Sequence, residues 1–249
     1  MLSGAVAQDP VPKVYKEPES GISFNTWNVP GSSGTGGLTF GMALPSTALK
    51  DDATEFMGYL VSSPDSQNFK RKQRSKDANK SNNDKHCAAK NASTADGWCG
   101  ISLGGSMTDS LLLVAYPDGN DVRTSLRITS SYTMPDVYTG NATVTQVGSA
   151  INATGFSLTF HCQDCLHWAQ NGTTGSAATG GGMLDFGYAQ ALEPPRGNLA
   201  CAGEMGFAQH DSHGTWTALL EDSIASESYG DWRKLANHTV PSRCKGDNK

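Results

Sequence analysis

The amino-acid sequence predicts an all-β fold, an antiparallel β-sandwich of the immunoglobulin-like kind with one short C-terminal helix. About ten short stretches of strand-like composition follow one another, with turns at intervals of about 8–15 residues. Glycine accounts for 28 of the 249 residues, and only 17% of the residues are charged. This composition suits a turn-rich sheet protein better than a helical bundle or a disordered chain.

The strands can be justified in chain order from residue type and spacing. Residues 8–20 contain three prolines and are predicted to be an irregular lead-in. In 54–63, apolar residues occupy both alternating faces, so this strand is expected to be buried on both sides. Asp118 and Gly119 form a strong hairpin signal between two later strands. The predicted strands are 22–27, 37–44, 54–63, 101–107, 111–116, 122–129, 141–147, 155–162 and 183–192.

One short helix is predicted near the end of the chain. Asp222 or Ser223 is placed to cap its first turn, because short polar side chains accept hydrogen bonds from the free N–H groups there. The apolar residues that follow recur at helical spacing, which gives the segment one apolar face. These residues are Ala225, Tyr229, Trp232 and Ala236.

The chain is predicted to hold one folded domain, residues 8–236. Residues 1–7 have the character of a signal-peptide remnant, because Ala5-Val6-Ala7 has the small-x-small form of a cleavage site. Residues 64–96 are polar and charged and are predicted to be an inserted surface loop. Its basic run could dock an acidic partner or simply be solvated. Residues 237–249 are predicted to be a tail or the start of a linker.

Charge and motif content exclude several classes of function. The formal net charge is −5, whereas nucleic-acid binding needs a basic stripe. No stretch approaches the ~20 apolar residues of a membrane span. No G-x-G-x-x-G joins a strand to a helix, which excludes a flavin or nicotinamide fold within this sequence.

Cysteines and glycosylation sequons favour a secreted protein. The chain has six cysteines, an even number, which is typical of an oxidising compartment. It also carries six N-x-S/T sequons, the acceptor sites for N-linked glycans. The sequons are at Asn79, Asn91, Asn141, Asn152, Asn171 and Asn237.

Two short stretches stand out as a candidate site. Ile101, Leu103, Gly105 and Met107 alternate with small polar residues, so a continuous strand would place all four on one face. The segment 207–214 carries two imidazoles, His210 and His213. A thioether and an imidazole on opposite sides of an iron porphyrin would make a six-coordinate haem. The residues alone also fit a methionine that fills the core and a solvated loop histidine.

Four motifs, taken together, resemble the cytochrome domain of fungal cellobiose dehydrogenases. They occur in that family's order, and the resemblance covers roughly residues 20–62 and 96–235. The motifs are GISLGGSMTDSLLLVAY (100–116), SSYTMPDVYTGNATVT (130–145), FHCQDCLHW (160–168) and FAQHDSHG (207–214).

The resemblance implies a secreted b-type haem module with specific ligands. Met107 matches the family's axial methionine, and His210 matches its axial histidine through the pattern from Phe207 to Gly214. His213 falls where the family has an aromatic residue. Because the two histidines are three residues apart, an extended loop would point them to opposite sides. Tyr132 matches a tyrosine near the haem propionates, and core packing is expected of Trp98.

The resemblance also implies a role in electron transfer. Iron held by Met107 and His210 has no open coordination position, so it would carry single electrons and turn over no substrate of its own. The implied donor is a flavin dehydrogenase domain or a comparable electron source. The implied acceptors are a copper polysaccharide monooxygenase, ferric iron or a quinone.

The cysteines allow several arrangements. Cys162 and Cys165 form a C-x-x-C pair, and the resemblance implies a structural disulfide there. A redox pair would need a βαβ context, and a zinc site would need two further ligands such as His161 and His167. The other four cysteines can pair in three ways. We favour Cys87 with Cys99 and Cys201 with Cys244.

Two competing hypotheses remain at this stage. One is a carbohydrate-binding β-sandwich without a cofactor, in which Trp27, Trp168, Trp216 and several tyrosines supply a sugar platform. The other is a protein that keeps the fold but has lost the haem, because the 64–96 insertion abuts the strand that leads to Met107.

Overall fold

The computed structural model describes residues 9–32, 35–64, 97–152 and 155–244. It confirms the predicted all-β sandwich, with two large sheets packed face to face and one short helix near the end. Among these residues, no helix is long and apolar enough to cross a membrane.

Some predicted features fall outside the described residues. They are the signal-peptide remnant at 1–7 and nearly all of the 64–96 insertion.

The described residues form 17 strands, one α-helix and three single 3-10 turns. The first eight strands are β1 (Lys13–Lys16), β2 (Ser23–Val29), β3 (Thr35–Pro45), β4 (Phe56–Pro64), β5 (Trp98–Ser102), β6 (Leu112–Asp118), β7 (Asp121–Ile128) and β8 (Asp136–Val137). The others are β9 (Thr143–Asn152), β10 (Gly155–Gln163), β11 (His167–Gln170), β12 (Thr173–Ser176), β13 (Met183–Ala191), β14 (Arg196–Gly197), β15 (Met205–Gly206), β16 (Ser212–Leu219) and β17 (Ala225–Ser226). The helix is α1 (Tyr229–Leu235), and the 3-10 turns are Thr179–Gly181, Ala202–Glu204 and Asp222–Ile224.

The two large sheets have simple strand orders. The first sheet runs β1-β2-β3-β4-β10-β9, and β17 adds a short parallel pairing on β3. The second runs β16-β13-β5-β6-β7-β8, and its pairings are antiparallel. Two small hairpins, β11–β12 and β14–β15, lie outside these sheets.

Aromatic side chains from both sheets fill the space between them. Phe40 of the first sheet meets Phe186 of the second edge to face, with ring centroids 5.2 Å apart. Trp27, Trp168 and Trp216 belong to the same core and are at most 5% exposed. The predicted sugar platform built from these three indoles is therefore wrong, because their rings are used for packing.

The predicted irregular lead-in at 8–20 contains a strand. Residues 13–16 form β1, which pairs with β2 from Lys13 opposite Thr26 to Lys16 opposite Ser23. Prolines at 10, 12 and 18 flank this strand and do not interrupt it. An edge strand needs only one side of its backbone paired, so it can form where the sequence signal is weak.

The predicted helix exists but begins later than expected. Asp222 opens a single 3-10 turn instead of capping a helix, and β17 follows it. Ile224 is fully buried in the core, and the next two residues pair with Leu44 and Pro45 of β3. This pairing extends the backbone, so α1 starts only at Tyr229.

The disulfides were largely predictable. Cys162–Cys165 and Cys201–Cys244 are both formed, which excludes the zinc and free-dithiol alternatives for the C-x-x-C pair. Cys99 carries a free thiol, so the predicted Cys87–Cys99 bond is wrong. Cys99 lies on the central strand β5 and faces the core, where burial raises the pKa of its thiol to about 12. Cys87 is outside the described residues.

Close packing within the first sheet gives a stability prediction. A methyl group at Gly58 would overlap the Phe160 ring, so Gly58→Ala should lower the free energy of unfolding by about 1–3 kcal/mol, as overpacked cores do. Denaturant unfolding measures this. Gly148→Ala is the matched control, because a Cβ there meets nothing within 4 Å, and its effect should stay within about 0.5 kcal/mol. Equal losses in the two variants would contradict the packing argument.

Candidate functional site

The outward face of the second sheet carries residues with small side chains at its centre. Cys99 and Ile101 of β5 point into the core, so the residue between them, Gly100, faces outward. Gly100 pairs with Ala189 of β13, and Gly187 lies two residues away on that strand. We call Gly100, Gly187 and Ala189 the sheet floor. Because these residues have small side chains or none, a flat group could approach the sheet backbone here.

A loop of residues 103–111, the methionine loop, crosses one side of the sheet floor. β5 ends at Ser102, and Gly105 takes a left-handed conformation with φ of +80°. The carbonyl oxygen of Gly105 lies so close to Gly187 that a Cβ there would be 2.6 Å from it. Met107, half-buried in this loop, therefore does not continue the alternation of β5, and the predicted strand 101–107 is wrong beyond Ser102.

A second segment, residues 198–207, covers the opposite side of the same face. Tyr116 donates a hydrogen bond to the Leu199 carbonyl at 2.9 Å. Phe207 packs on Trp98 and Tyr116, with ring centroids 5.4 and 6.0 Å apart. Trp98 is thus a packing residue, as expected, but in a separate cluster on the outward face.

The histidine loop, residues 207–211, is held at both ends. Phe207 anchors the first end. At the other end, the Asp211 N–H donates to the Gln190 carbonyl at 2.9 Å, and the Asp211 carboxylate accepts from the Leu192 N–H at 2.8 Å. His210 lies between these anchors, so its backbone position is well defined.

The two histidines lie against each other. Their ring centroids are 4.3 Å apart, so the prediction that they point to opposite sides is wrong. The reason is that the chain enters β16 at Ser212, which places His213 opposite Ala189 of the sheet floor. The methionine loop and His210 thus both approach the same outward face.

His210 has the protonation state that a metal ligand needs. Burial, and then the neighbouring His213, lowers the pKa of His210, so its imidazole is neutral at pH 7. A neutral ring offers a lone pair to a metal. Its Nδ1 is buried and has no hydrogen-bond partner among the described residues.

Arg127 is a site residue that the sequence argument missed. It is 3% exposed and lies beneath Phe207, with the guanidinium carbon 5.1 Å from that ring. Its hydrogen bonds go to uncharged oxygens, those of Ser125 at 2.8 Å, Pro135 at 3.2 Å and Ala202 at 2.6 Å. Burial lowers the pKa of Arg127, but a guanidinium stays charged. The sequence shows only an arginine within the predicted strand 122–129, and that pattern does not reveal that the side chain is buried.

Tyr132 lies in the loop between β7 and β8 and is 83% exposed. The Thr129 hydroxyl bonds the Ser131 carbonyl at 2.8 Å, and Pro135 is held by Arg127. The expected role of Tyr132 near a haem propionate stays a prediction.

The described residues contain no cluster of three or more His, Cys, Asp or Glu side chains that could hold a metal ion.

Comparison with solved structures gives the class of protein, a cytochrome domain of the kind found in cellobiose dehydrogenase. The structure is similar to the cytochrome domain of Myriococcum thermophilum cellobiose dehydrogenase, with a TM-score of 0.77 and 44% identity over 94% of this chain and 100% of that one. It shares the fold of the cytochrome b domain of Coprinopsis cinerea pyranose dehydrogenase, with a TM-score of 0.65 and 22% identity over 92% and 98% of the two chains.

The particular family follows from the sequence match. The model of the family described as the cytochrome domain of cellobiose dehydrogenase matches residues 15–69 and 76–231. The chain belongs to this family, as its motifs predicted. A pyrroloquinoline quinone-dependent pyranose dehydrogenase of Coprinopsis cinerea is 33% identical over 98 residues, which are 39% of this chain and 13% of that protein. The chain therefore spans only a small part of that relative.

The buried guanidinium gives a prediction for the histidine loop. Arg127→Met keeps most of the side-chain length but leaves the Ala202 and Pro135 carbonyls without a donor, which should cost about 1–3 kcal/mol of unfolding free energy. Amide hydrogen exchange should also quicken at residues 202–210. Arg196→Met is the control, because the Arg196 side chain is exposed and, among the described residues, forms an ion pair with Glu193 alone. Unchanged exchange in Arg127→Met would show that Arg127 does not hold the loop.

Proposed function

We propose that this chain is a b-type haem domain that transfers single electrons, with Met107 and His210 as the axial ligands. The observation that carries this proposal is the neutral, half-buried His210 held beside the sheet floor. Membership of the cytochrome family supports the haem, and the family match includes both ligand segments.

The residues of the outward face fit such a group. Gly100 and Ala189 would let a flat macrocycle approach the sheet backbone, whereas Gly187 is covered by the Gly105 carbonyl. Trp98, Val114 and Phe207 form an apolar cluster beside Gly100. Arg127 keeps a positive charge under this cluster, which favours the anionic propionates of a haem. A haem with two axial protein ligands supplies one-electron chemistry with no open coordination position.

Five residues around the candidate site have roles in this proposal. The Met107 thioether favours Fe(II) and so raises the reduction potential. His210 offers its neutral ring, and His213 packs against that ring and restricts its rotation. Asp211 fixes the backbone next to the ligand through two hydrogen bonds. The Tyr132 hydroxyl would be available as a hydrogen-bond donor to a haem propionate.

The partners are proposed from the relatives. The donor is a dehydrogenase domain, either a flavin enzyme or, as the name of the pyranose dehydrogenase relative suggests, one that uses pyrroloquinoline quinone. The acceptor is a copper polysaccharide monooxygenase, ferric iron or a quinone. The protein is secreted, which two disulfides and the glycosylation sequons support, because disulfides persist in oxidising compartments.

Replacement of each histidine in turn by alanine tests which of the two is the haem ligand. The reduced protein should show the sharp Soret and α bands of a low-spin b haem. His210→Ala should lose haem or become high-spin, because one of the two axial bonds is gone. His213→Ala should keep the low-spin spectrum, since this residue only packs against the ligand. If His213→Ala bleaches the protein while His210→Ala leaves its spectrum intact, the ligand assignment is wrong by three residues.

Replacement of the other ligand tests the thioether. Met107→His should remain low-spin but have a lower reduction potential, because imidazole stabilises Fe(III) more than a thioether does. Spectroelectrochemical titration measures the potential. Met134→His is the matched control, an exposed methionine in the β7–β8 loop, and it should leave both spectrum and potential unchanged. An unchanged potential in Met107→His would exclude Met107 as a ligand.

A further inference from the structure

We infer that a groove on the far side of the sandwich is a saccharide site, occupied by the chain's own N-linked glycan at Asn237. The groove lies on the outward face of the first sheet and has a volume of about 430 Å³. The inference rests on the secretion part of the proposed function and is independent of haem or electron transfer. We call this cleft the tyrosine groove.

Two tyrosines in ring-to-ring contact line the tyrosine groove. The ring centroids of Tyr15 and Tyr59 are 5.0 Å apart with a tilt of 31°. Phe24, fully buried, stacks beneath Tyr59 at 5.6 Å and supports it. Both tyrosines are half-buried, so part of each ring faces the groove. The apolar C–H face of a sugar ring packs well on such aromatic surfaces.

The remaining wall supplies hydrogen-bonding groups of the kind that sugars need. Ser157 and Thr159, two residues with hydroxyl groups, line the groove on the same sheet face as Tyr59. Burial would raise the pKa of Glu17, but hydrogen bonds from Ser20 and Glu19 lower it overall, so the carboxylate stays ionised as an acceptor. Burial, followed by the Tyr15 hydroxyl, raises the pKa of Tyr59, whose phenol therefore stays a donor. Ring faces beside hydroxyls and a carboxylate are typical of a saccharide site.

Asn237, the acceptor residue of a glycosylation sequon, lines this groove. Asn237-His238-Thr239 fits the acceptor pattern, and Asn237 lines the groove next to Leu235, an apolar side chain that is 39% exposed. His238 donates to and accepts from the Gln146 backbone at 3.1 and 2.8 Å, which fixes the chain at the mouth of the groove.

Attachment at this point favours the chain's own glycan over a free sugar. A glycan on Asn237 starts at the groove, so its docking is intramolecular and has a high effective concentration. A free saccharide would lose its translational freedom on binding to the same surface. A docked glycan would also cover the exposed side chain of Leu235.

Two other sequons provide internal controls. Asn141 is exposed just before β9, and Asn171 is exposed in the turn between β11 and β12 with φ of +52°. Neither residue lines the tyrosine groove. Glycans at these two positions should be free in solvent, and any difference from Asn237 then reflects the groove.

The experiment measures how fast a glycosidase reaches each glycan. The protein is secreted from yeast behind a heterologous leader and treated, while folded, with peptide:N-glycosidase F. Mass spectrometry of glycopeptides then gives the rate at each site. We expect Asn237 to be occupied and released about tenfold more slowly than Asn141 or Asn171, a factor that corresponds to about 1.4 kcal/mol. Tyr15→Ala should remove this protection, whereas Val14→Ala, an exposed neighbour on β1, should not.

Three results would overturn the inference. One is an unoccupied Asn237 beside occupied Asn141 and Asn171. Another is release at Asn237 as fast as at the control sites. The third is protection that survives Tyr15→Ala in a protein that is still folded. If the second result is accompanied by binding of cellotetraose to the non-glycosylated protein at Tyr15, the groove takes an external sugar instead. A haem spectrum of the same sample tests the proposed function separately.

Discussion

The candidate site depends first on one backbone contact, the approach of the Gly105 carbonyl to Gly187. No side chain larger than hydrogen fits at position 187 without displacing the methionine loop. The loop is also closed by a hydrogen bond from the Leu103 N–H to the Leu111 carbonyl. The Asp109 backbone bonds both Thr129 and the Trp168 indole. The backbone of the loop that carries Met107 is therefore fixed by these contacts.

The histidine loop is held by a different kind of interaction. A buried guanidinium, Arg127, bonds the Ala202 carbonyl and lies under the Phe207 ring, and both contacts fix the chain that leads to His210. A buried charge with several hydrogen bonds is costly to displace, because its removal leaves the bonded carbonyls unpaired. Both loops are thus held by groups outside the ligands themselves, which is what a preorganised site requires.

Most of the long strands were predictable, because alternation and turn residues report directly on a buried sheet, but β1 and β16 were not among the predicted strands. The end of β5 was not predictable, since the alternation of residue types continues to Met107 while Gly105 turns the backbone away. Composition does not show whether the side chain of Trp27 faces the core or a ligand. It also gave no sign that Cys99 points inward, or that Arg127 is buried. These features depend on which sheet face each residue occupies, and that is decided by contacts distant in sequence.

The segment 237–244 connects the two outward faces of the sandwich. It begins at Asn237 in the tyrosine groove and is bonded to Gln146 through His238. It then passes Arg123, which donates to the Pro241 carbonyl at 2.8 Å. It ends at the Cys201–Cys244 disulfide, beside the segment that leads to His210. A saccharide bound in the groove would therefore lie on the side of the protein away from the sheet floor, and the face proposed to exchange electrons would stay open to a partner.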